Sequence, residues 1–179
     1  VFITTVLGAS AEMVGLVEGI GEATASITKL FSGWISDKLG KRKALTIIGY
    51  GLGALSKPLF AIAPTASVVL GARFSDRVGK GIRGAPRDTM VGDMVPAGQR
   101  GAAYGLRQAL DTVGAFAGPL LAIALMAMLH DNFRLIFWIA IIPGLISVFV
   151  LIFGVREPPH QASTAQAPVE LKDLKTIGR

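Results

Sequence analysis

Apolar stretches long enough to cross a lipid bilayer alternate with short charged segments along most of this chain. A helix needs about 20 mainly apolar residues to span the hydrocarbon core, and several segments of the 179 residues meet that length. A spanning segment must pair its backbone polar groups internally, which a helix does without help from its neighbours. The pattern therefore predicts an all-α membrane protein that crosses the lipid bilayer several times.

The limits of the apolar stretches predict where each helix begins and ends. Residues 1–8 are interpreted as the end of an incomplete first helix, because the chain opens at Val1 within apolar sequence. Residues 1–157 would form the transmembrane half, and residues 158–179 a cytoplasmic linker. In that linker Leu171, Leu174 and Ile177 recur at the spacing of a short amphipathic helix. The other predicted helices are 11–36, 44–63, 67–93, 101–129 and 133–154.

Basic residues predict the orientation in the membrane. Lys and Arg are concentrated in Asp37–Lys43, near Arg100 and after Arg156, whereas the turns at 64–66 and 130–132 contain neither. The basic segments are therefore expected on the cytoplasmic side. The positive-inside rule holds along the whole chain only if 67–93 spans the membrane despite its charges. Those charges are therefore expected to turn away from lipid.

The charges of 67–93 are predicted to lie on one face. At about 100° per residue, seven of them fall within an arc of roughly 140°, and Asp93 falls outside it at the cytoplasmic end. A charge at the bilayer centre costs about 3 kcal/mol or more unless it is paired or hydrated. Segment 11–36 also collects its charges on one face, and 101–129 places two charges beside Gly114 and Gly118. The predicted lining of a polar cavity is Glu18, Glu22, Lys29, Arg73, Asp76, Arg77, Lys80, Arg83, Arg87, Arg107 and Asp111.

Two interpretations of these charges stay open. They line a cavity that binds solute or carries protons, or they form salt bridges that only hold helices together. Their number favours the cavity, because buried ion pairs stabilise a fold little. Cations outnumber acids among them, which favours an anionic solute. Glu22 is expected to pair with a cation of 67–93, first Arg77 and otherwise Arg73 or Lys80.

Other function classes have little support in the sequence. The chain has no Cys, and His130 and His160 flank a predicted span, so no metal site is expected. No His lies near a plausible nucleophile, and we predict neither an enzyme nor a cofactor. The motif Gly79–Gly84 fits the dinucleotide pattern G-x-G-x-x-G, but no strand precedes it. Gly49, Gly51 and Gly53 are interpreted as packing surfaces rather than as a phosphate loop. The net charge of +6 is spread among apolar residues, which argues against nucleic acid as a partner.

The segment after 11–36 resembles a signature of the major facilitator superfamily, G-x-L-x-D-[RK]-x-G-[RK]-[RK]. The matching residues are Gly33, Asp37, Lys38, Gly40, Lys41 and Arg42, with Ile35 in place of Leu. Asp93 and Arg100 resemble the acid that ends the family's fourth helix and the Arg that opens its fifth. The resemblance implies that these residues form a gating motif, which latches two halves together on the cytoplasmic side.

Two further motifs extend the resemblance. Arg77, Gly81 and Ala85 match R-x-x-Q-G-x-G-A-A, whose Arg is associated with proton coupling, while Lys80, Arg83 and Gly84 depart from it. The stretch Asp76–Asp88 looks like a subgroup of poorly characterised bacterial permeases. Gly114, Gly118 and Pro119 match part of G-x-x-x-G-P-x-x-G-G and imply helix packing. Ala122 and Ile123 replace its final glycines, which weakens the case for antiport.

The resemblance implies the N-terminal six-helix half of a major-facilitator-type bundle, placed in the cytoplasmic membrane of a bacterium. Such a protein moves a small solute by alternating access, and coupling to protons stays open. Its partner would be a second six-helix half of the same chain or a second copy. The alternative is a membrane receptor, a scaffold or a decayed fragment that transports nothing. A native reading frame that continues into six more spans would favour the transporter.

Overall fold

The computed structural model describes residues 10–130 and 132–157. These residues form helices and no strand, which confirms the all-α prediction, and every helix boundary lies within three residues of the predicted one. The predicted helix 1–8, the linker 158–179 and His160 lie outside the described residues. The helices are α1 (Ala11–Leu39), α2 (Arg42–Ile62), α3 (Ala66–Asp93), α4 (Arg100–Met128) and α5 (Phe133–Gly154), with a short 3-10 helix at Ala97–Gln99 before α4.

Local capping explains two of these boundaries. Gly40 ends α1 with a φ of 62°, a left-handed conformation that glycine adopts without a steric penalty. Its amide donates to the carbonyl of Ser36 at 2.9 Å. At the other end of the bundle, Asn132 Oδ1 accepts a hydrogen bond from the amide of Leu135 at 3.2 Å, which caps the start of α5.

Helices α2 and α3 pack against each other through small residues. A Cβ atom at Gly49 would lie 2.7 Å from the carbonyl oxygen of Gly79, and one at Gly79 would lie 2.8 Å from that of Gly49. Only glycine permits this approach at both positions. The buried positions along this contact lie three, four or seven residues apart, which is the pattern of a continuous helix–helix contact. They are Arg42, Thr46, Gly49, Gly53, Ser56 and Phe60 in α2, and Val69, Ala72, Gly79, Pro86 and Met90 in α3.

Helices α1 and α3 make a similarly close contact. A Cβ atom at Gly81 would lie 2.6 Å from Thr28 Cβ and 2.7 Å from the carbonyl oxygen of Ala25. Ser32 Oγ donates to the carbonyl of Gly81 at 3.1 Å. The glycines of the G-x-G-x-x-G sequence therefore bring helices together. Gly33, which was also predicted to allow close approach, places its Cβ position 3.3 Å from Ala85 Cβ.

The predicted packing glycines of α4 contact nothing in the part of the chain that the structure describes. A Cβ atom at Gly114 or Gly118 would have no neighbour within 4 Å, and the same is true of Gly51 in α2. Pro119 lies inside α4, which has no buried residue. The packing prediction is therefore wrong for Gly51 within the described bundle, because this glycine points away from the α3 contact.

Among the described residues, three helices are long and apolar enough to cross a membrane: α2, α4 together with its 3-10 turn, and α5. Charges prevent α1 and α3 from qualifying by composition. However, α3 lies beside α2 along its whole length: Thr46 Oγ1 is 3.7 Å from Met90 Sδ near one end, and Phe60 packs with Val69 near the other. Because α3 covers the same depth as α2, the packing supports the prediction that both span.

Candidate functional site

Glu18 and Glu22 of α1 meet three cations of α3. Glu18 pairs with Arg73, and its Oε2 lies 2.7 Å from Arg77 Nη2. Glu22 Oε1 lies 2.5 Å from Arg77 Nη1 and 3.1 Å from Lys80 Nζ. The expected pair of Glu22 with Arg77 is present, and Lys80 is its second partner. Residues three or four apart share a helix face, so the charges of both helices align. We call these five residues the α1–α3 cluster.

A second group of charges links α1, α3 and α4. Asp88 is its centre, since Lys29 Nζ, Arg107 Nε and Arg87 Nε approach its carboxylate at 3.3, 3.4 and 3.5 Å. Asp111 Oδ2 lies 2.9 Å from Arg107 Nη2 and 3.5 Å from Arg87 Nη2. This α3–α4 cluster (Lys29, Arg87, Asp88, Arg107, Asp111) brings the predicted charges of three helices together.

Asp76 and Arg83 turn towards α2, which corrects the prediction of a single inward face. Asp76 Oδ1 accepts from Lys57 Nζ at 3.0 Å and from Ser56 Oγ at 3.2 Å. The Arg83 guanidinium carbon lies 4.4 Å from the centre of the Tyr50 ring, a cation–π contact. Positions 76 and 83 continue the three-and-four spacing of the α3 residues buried against α2, so they point into that contact. These five residues form the α2–α3 cluster.

Lys57 and Tyr50 are functional candidates that the sequence reasoning missed. Lys57 is the one charge inside the predicted span 44–63, and a lone intramembrane charge requires a partner. Tyr50 lies seven residues before it and therefore shares its face. Its hydroxyl accepts from Arg87 Nη1 at 3.4 Å, which connects α2 to the α3–α4 cluster.

The predicted gating residues gather where α1 ends, α2 begins and α3 ends. Arg42, only 7% exposed, pairs with Asp93, and its Nη2 lies 3.5 Å from Asp37 Oδ1. Arg100 Nε donates to the carbonyl of Gly92 at 3.1 Å. Lys38 Nζ lies 5.1 Å from the Trp34 ring centre, and Lys41 is exposed. Arg42 is thus the centre of the group, rather than one basic residue among several.

Glu157 is a further member of this region that the sequence did not indicate. Both of its carboxylate oxygens accept from the Lys43 amide at 3.1 Å, and Lys43 Nζ donates to the carbonyl of Ile152 at 2.7 Å. The first amides of a helix lack partners within it, so a distant carboxylate satisfies one at the start of α2. The contact ties the end of α5 to the gating residues. We call this end of the bundle the basic end.

A cavity of about 320 Å³ opens between α1, α3 and α4. Its size falls within the range for sites that bind small molecules. Small residues such as Ser26 and Gly84 make room for it. The charged residues that line it are Glu22, Lys29, Lys80, Arg83, Arg87 and Asp111. A separate cavity of about 420 Å³ between α2, α3 and α5 is mostly apolar, with Met90, Ile146 and Val150 among its lining.

A known protein family matches this chain over nearly its whole length. The sequence pattern of the Major Facilitator Superfamily matches residues 1–178. The chain belongs to this superfamily. It is therefore an integral membrane protein of the all-α type that the apolar helices indicate.

Three relatives match more than nine tenths of this chain. The chain is 33% identical over 165 residues to an uncharacterized protein of Mycobacterium tuberculosis, covering 92% of this chain and 40% of the relative. It is 31% identical over 170 residues to an MFS-type transporter of Methanocaldococcus jannaschii, covering 95% and 42%. A multidrug resistance protein of Proteus mirabilis is 26% identical over 171 residues, covering 96% and 41%. The chain thus spans about two fifths of the length of these relatives.

Proposed function

We propose that the full-length protein is a secondary transporter that moves a small solute across the cytoplasmic membrane by alternating access. The observation that carries the proposal is the cavity between α1, α3 and α4, with its six charged residues. Superfamily membership and the archaeal relative named as an MFS-type transporter support it. In transporters of this kind, the solute binds near the bilayer midplane between two halves that rock about it.

The exposure of the charged side chains indicates that the face formed by α1, α3 and α4 contacts water or further protein and not lipid. Side chains of Glu22, Lys29, Lys80 and Asp111 are between 43% and 53% exposed within the described bundle. Charges cannot face hydrocarbon at that exposure without a cost of about 3 kcal/mol or more each. This face therefore meets water or further protein. The remaining chain of the full-length protein, or a second copy, is the partner that would cover it.

The basic end supplies a latch in this proposal. Asp37, Arg42 and Asp93 join the α1–α2 turn to the end of α3, and Glu157 adds the end of α5. Together these contacts let the helices of this half move as one body when the cytoplasmic side opens. Gly33, Lys38, Gly40, Lys41 and Arg100 complete the motif.

Glu22 is the residue that we propose for proton coupling. It shares Arg77 with Glu18 and also holds Lys80. Protonation would remove its charge, so Arg77 and Lys80 would lose one carboxylate partner and the cavity could rearrange. The alternative role is a permanent strut between α1 and α3.

Uptake by the reconstituted protein tests the proposal. Full-length protein in liposomes would be offered labelled sugars, amino acids, organic acids and nucleosides, with and without a pH gradient, beside protein-free liposomes. Saturable accumulation of at least one solute is expected, and a gradient-dependent rate would support proton coupling. If the folded protein accumulates none of the offered solutes in either direction of the pH gradient, the result would favour a non-transporting receptor or scaffold.

A further inference from the structure

We infer that the apolar cavity between α2, α3 and α5 holds an acyl chain of an anionic phospholipid, whose phosphate group lies against Lys43 and Arg156 at the basic end. This site is separate from the charged cavity between α1, α3 and α4, and lipid binding there is independent of solute transport. Three features of the molecule support it: the lining of the apolar cavity, its opening along α5 and the charges beside it.

The polar groups that line the apolar cavity already have partners within the protein. Of the eleven lining residues, four have polar side chains: Thr46, Tyr50, Arg87 and Ser147. The hydroxyls of Thr46 and Ser147 each donate to a backbone carbonyl of their own helix, both at 2.8 Å. The Tyr50 hydroxyl accepts from Arg87, whose guanidinium also lies 3.5 Å from each of the two carboxylates of the α3–α4 cluster. The lining therefore offers a polar solute little, whereas an apolar chain gives up no hydrogen bond by entering.

The remaining lining consists of aliphatic and thioether side chains. On α5 the lining runs from Ile146 to Val155, which is about 13 Å along the helix. Two of the lining residues on α3 are methionines, Met90 and Met94, whose flexible side chains adapt to an irregular apolar partner. The length and the lining together match a segment of hydrocarbon chain that runs parallel to the helices.

The apolar cavity opens along α5, the helix whose composition suits lipid. Ile146 and Val150, which line the cavity, are 56% and 55% exposed within the described bundle. Within Phe133–Gly154, Arg134 at the start is the one charged residue. Apolar cavities do not hold water stably, and the solvent beside a lipid-facing helix is hydrocarbon. The bilayer therefore supplies an acyl chain as the occupant.

Two cations of the basic end lie beside the apolar cavity. Lys43 Nζ donates to the carbonyl of Ile152 at 2.7 Å, within the part of α5 that lines the cavity. Arg156 is exposed and directly follows the lining residue Val155. Among the described residues, no carboxylate lies within ion-pair distance of either cation. Glu157, the acid next to them, holds the Lys43 amide through both of its oxygens at 3.1 Å.

These two cations favour an anionic headgroup over a zwitterionic one. The basic end is expected on the cytoplasmic side, where the leaflet carries anionic lipids. The Lys43 ammonium keeps further N–H donors after its bond to Ile152, and the Arg156 guanidinium can bind two phosphate oxygens. Phosphatidylcholine carries the same phosphate, but its own cation cancels the charge. Phosphatidylglycerol should therefore bind more tightly, by about fivefold for each cation that it contacts.

Lipid binding by the purified full-length protein tests this site. Protein freed of lipid in detergent would receive equal amounts of phosphatidylglycerol and phosphatidylcholine with identical acyl chains, and native mass spectrometry would count the bound molecules. We expect one tightly retained phosphatidylglycerol per protein, in excess over phosphatidylcholine by about fivefold or more.

A matched pair of variants on α5 tests the position of the acyl chain. Val150→Phe should lower the retained phosphatidylglycerol by about tenfold, because the ring would occupy space that the chain fills and remove its contacts. Leu145→Phe is the control, since Leu145 is also 55% exposed on α5 but lies outside the lining. Retention by this control should match that of the unmodified protein.

A second pair of variants tests the headgroup. Arg156→Gln should reduce the preference for phosphatidylglycerol over phosphatidylcholine by about fivefold. Arg134→Gln removes a cation at the opposite end of α5 and should leave the preference unchanged. Both side chains are exposed, so both variants are expected to fold.

Three results would overturn the inference. Equal losses in Val150→Phe and Leu145→Phe would mean that the acyl chain lies elsewhere. Equal retention of the two lipids would remove the role of Lys43 and Arg156. If the protein retains no phosphatidylglycerol, another part of the full-length chain fills the apolar cavity. Failure of solute uptake by protein that retains the lipid would instead count against the transport proposal alone.

Discussion

Arg77 joins the two carboxylates of α1 to α3, and its side chain is 15% exposed. One guanidinium carries two carboxylate partners, at 2.7 Å from Glu18 and 2.5 Å from Glu22. Its planar fork can serve both at once, which the ammonium of Lys cannot do with the same geometry. Glu22 is the more exposed partner, at 53%. It is therefore the carboxylate that water, and a proton, reach first.

A double-mutant cycle measures whether Glu22 and Arg77 interact in the full-length protein. Glu22→Gln and Arg77→Gln should destabilise the protein less together than the sum of their single effects, with a coupling of about 0.5–3 kcal/mol in the free energy of unfolding. Glu22→Gln combined with Arg134→Gln is the control, because these residues share no partner, and its effects should add. Strict additivity in the Glu22–Arg77 cycle would mean that the two side chains do not meet.

The same Glu22→Gln variant distinguishes a proton carrier from a strut. If Glu22 carries the coupling proton, uptake by the variant should lose its dependence on the pH gradient, because the amide cannot be protonated near neutral pH. A stable variant whose uptake keeps the full gradient dependence would leave Glu22 as a strut between α1 and α3.

At the scale of elements, α3 contacts α1, α2 and α4 and carries more charged residues than any other described helix. It can do so because glycines and small residues occupy the positions that face its neighbours: Gly79 against α2 and Gly81 against α1. Close backbone approach lets the long cations extend sideways to acids on α1 and α4. Pro86 lies buried within the same helix. The close contact is therefore a condition for the charge clusters.

Two glycines of α2 provide a matched test of that contact. Gly49→Ala should lower the unfolding temperature of the full-length protein, because its Cβ would lie 2.6 Å from Arg83 Cβ and 2.7 Å from two backbone atoms of α3. Overpacking of this kind costs about 1–3 kcal/mol. Gly51→Ala adds the same methyl group to open space and should leave stability unchanged or raise it by up to about 1 kcal/mol. Equal effects at both positions would refute the close packing of α2 on α3.

At the scale of the whole molecule, the described bundle has two sides of different character. The side formed by α1, α3 and α4 exposes the cavity and its charges. Helix α5 carries Arg134 at its start and no other charge within Phe133–Gly154. A uniformly apolar helix suits lipid, whereas the charged side requires water or protein. The charged side would therefore be the one that the rest of the full-length protein covers.

The two tryptophans of this chain report on these two sides. Trp34 on α1 is 63% exposed within the described bundle and Trp138 on α5 is 48% exposed. In liposomes with brominated lipids, which quench fluorescence on contact, we expect Trp138→Phe to reduce the lipid-quenched signal of the full-length protein. Trp34→Phe should change it little, because further protein would cover α1. The exposed fractions alone would predict stronger quenching of Trp34 than of Trp138. Stronger quenching of Trp34 would therefore contradict the prediction that α5 faces lipid and that further protein covers α1.

The sequence alone determined the helices, because the length of an apolar stretch and the turn at Gly40 are local properties. It also determined that Glu18, Glu22, Arg77 and Lys80 share faces, since that follows from the helical period. The pairing of Glu22 with Arg77 was expected for a different reason, because the resemblance to the superfamily places these two charged faces at the same cavity. The roles of these residues in transport remain predictions.

Only the tertiary structure decided which neighbour each charge meets. Asp76 and Arg83 lie within the same arc of α3 as Arg77, yet they face Lys57 and Tyr50 across the α2 contact. Glu157 reaches Lys43 from 114 positions away. A helical wheel gives the direction of each side chain around one helix axis. The partner of that side chain depends on where a second helix crosses the first. That crossing is set by the packing of Gly49 on Gly79 and of Gly81 on Thr28, contacts between residues far apart in the chain.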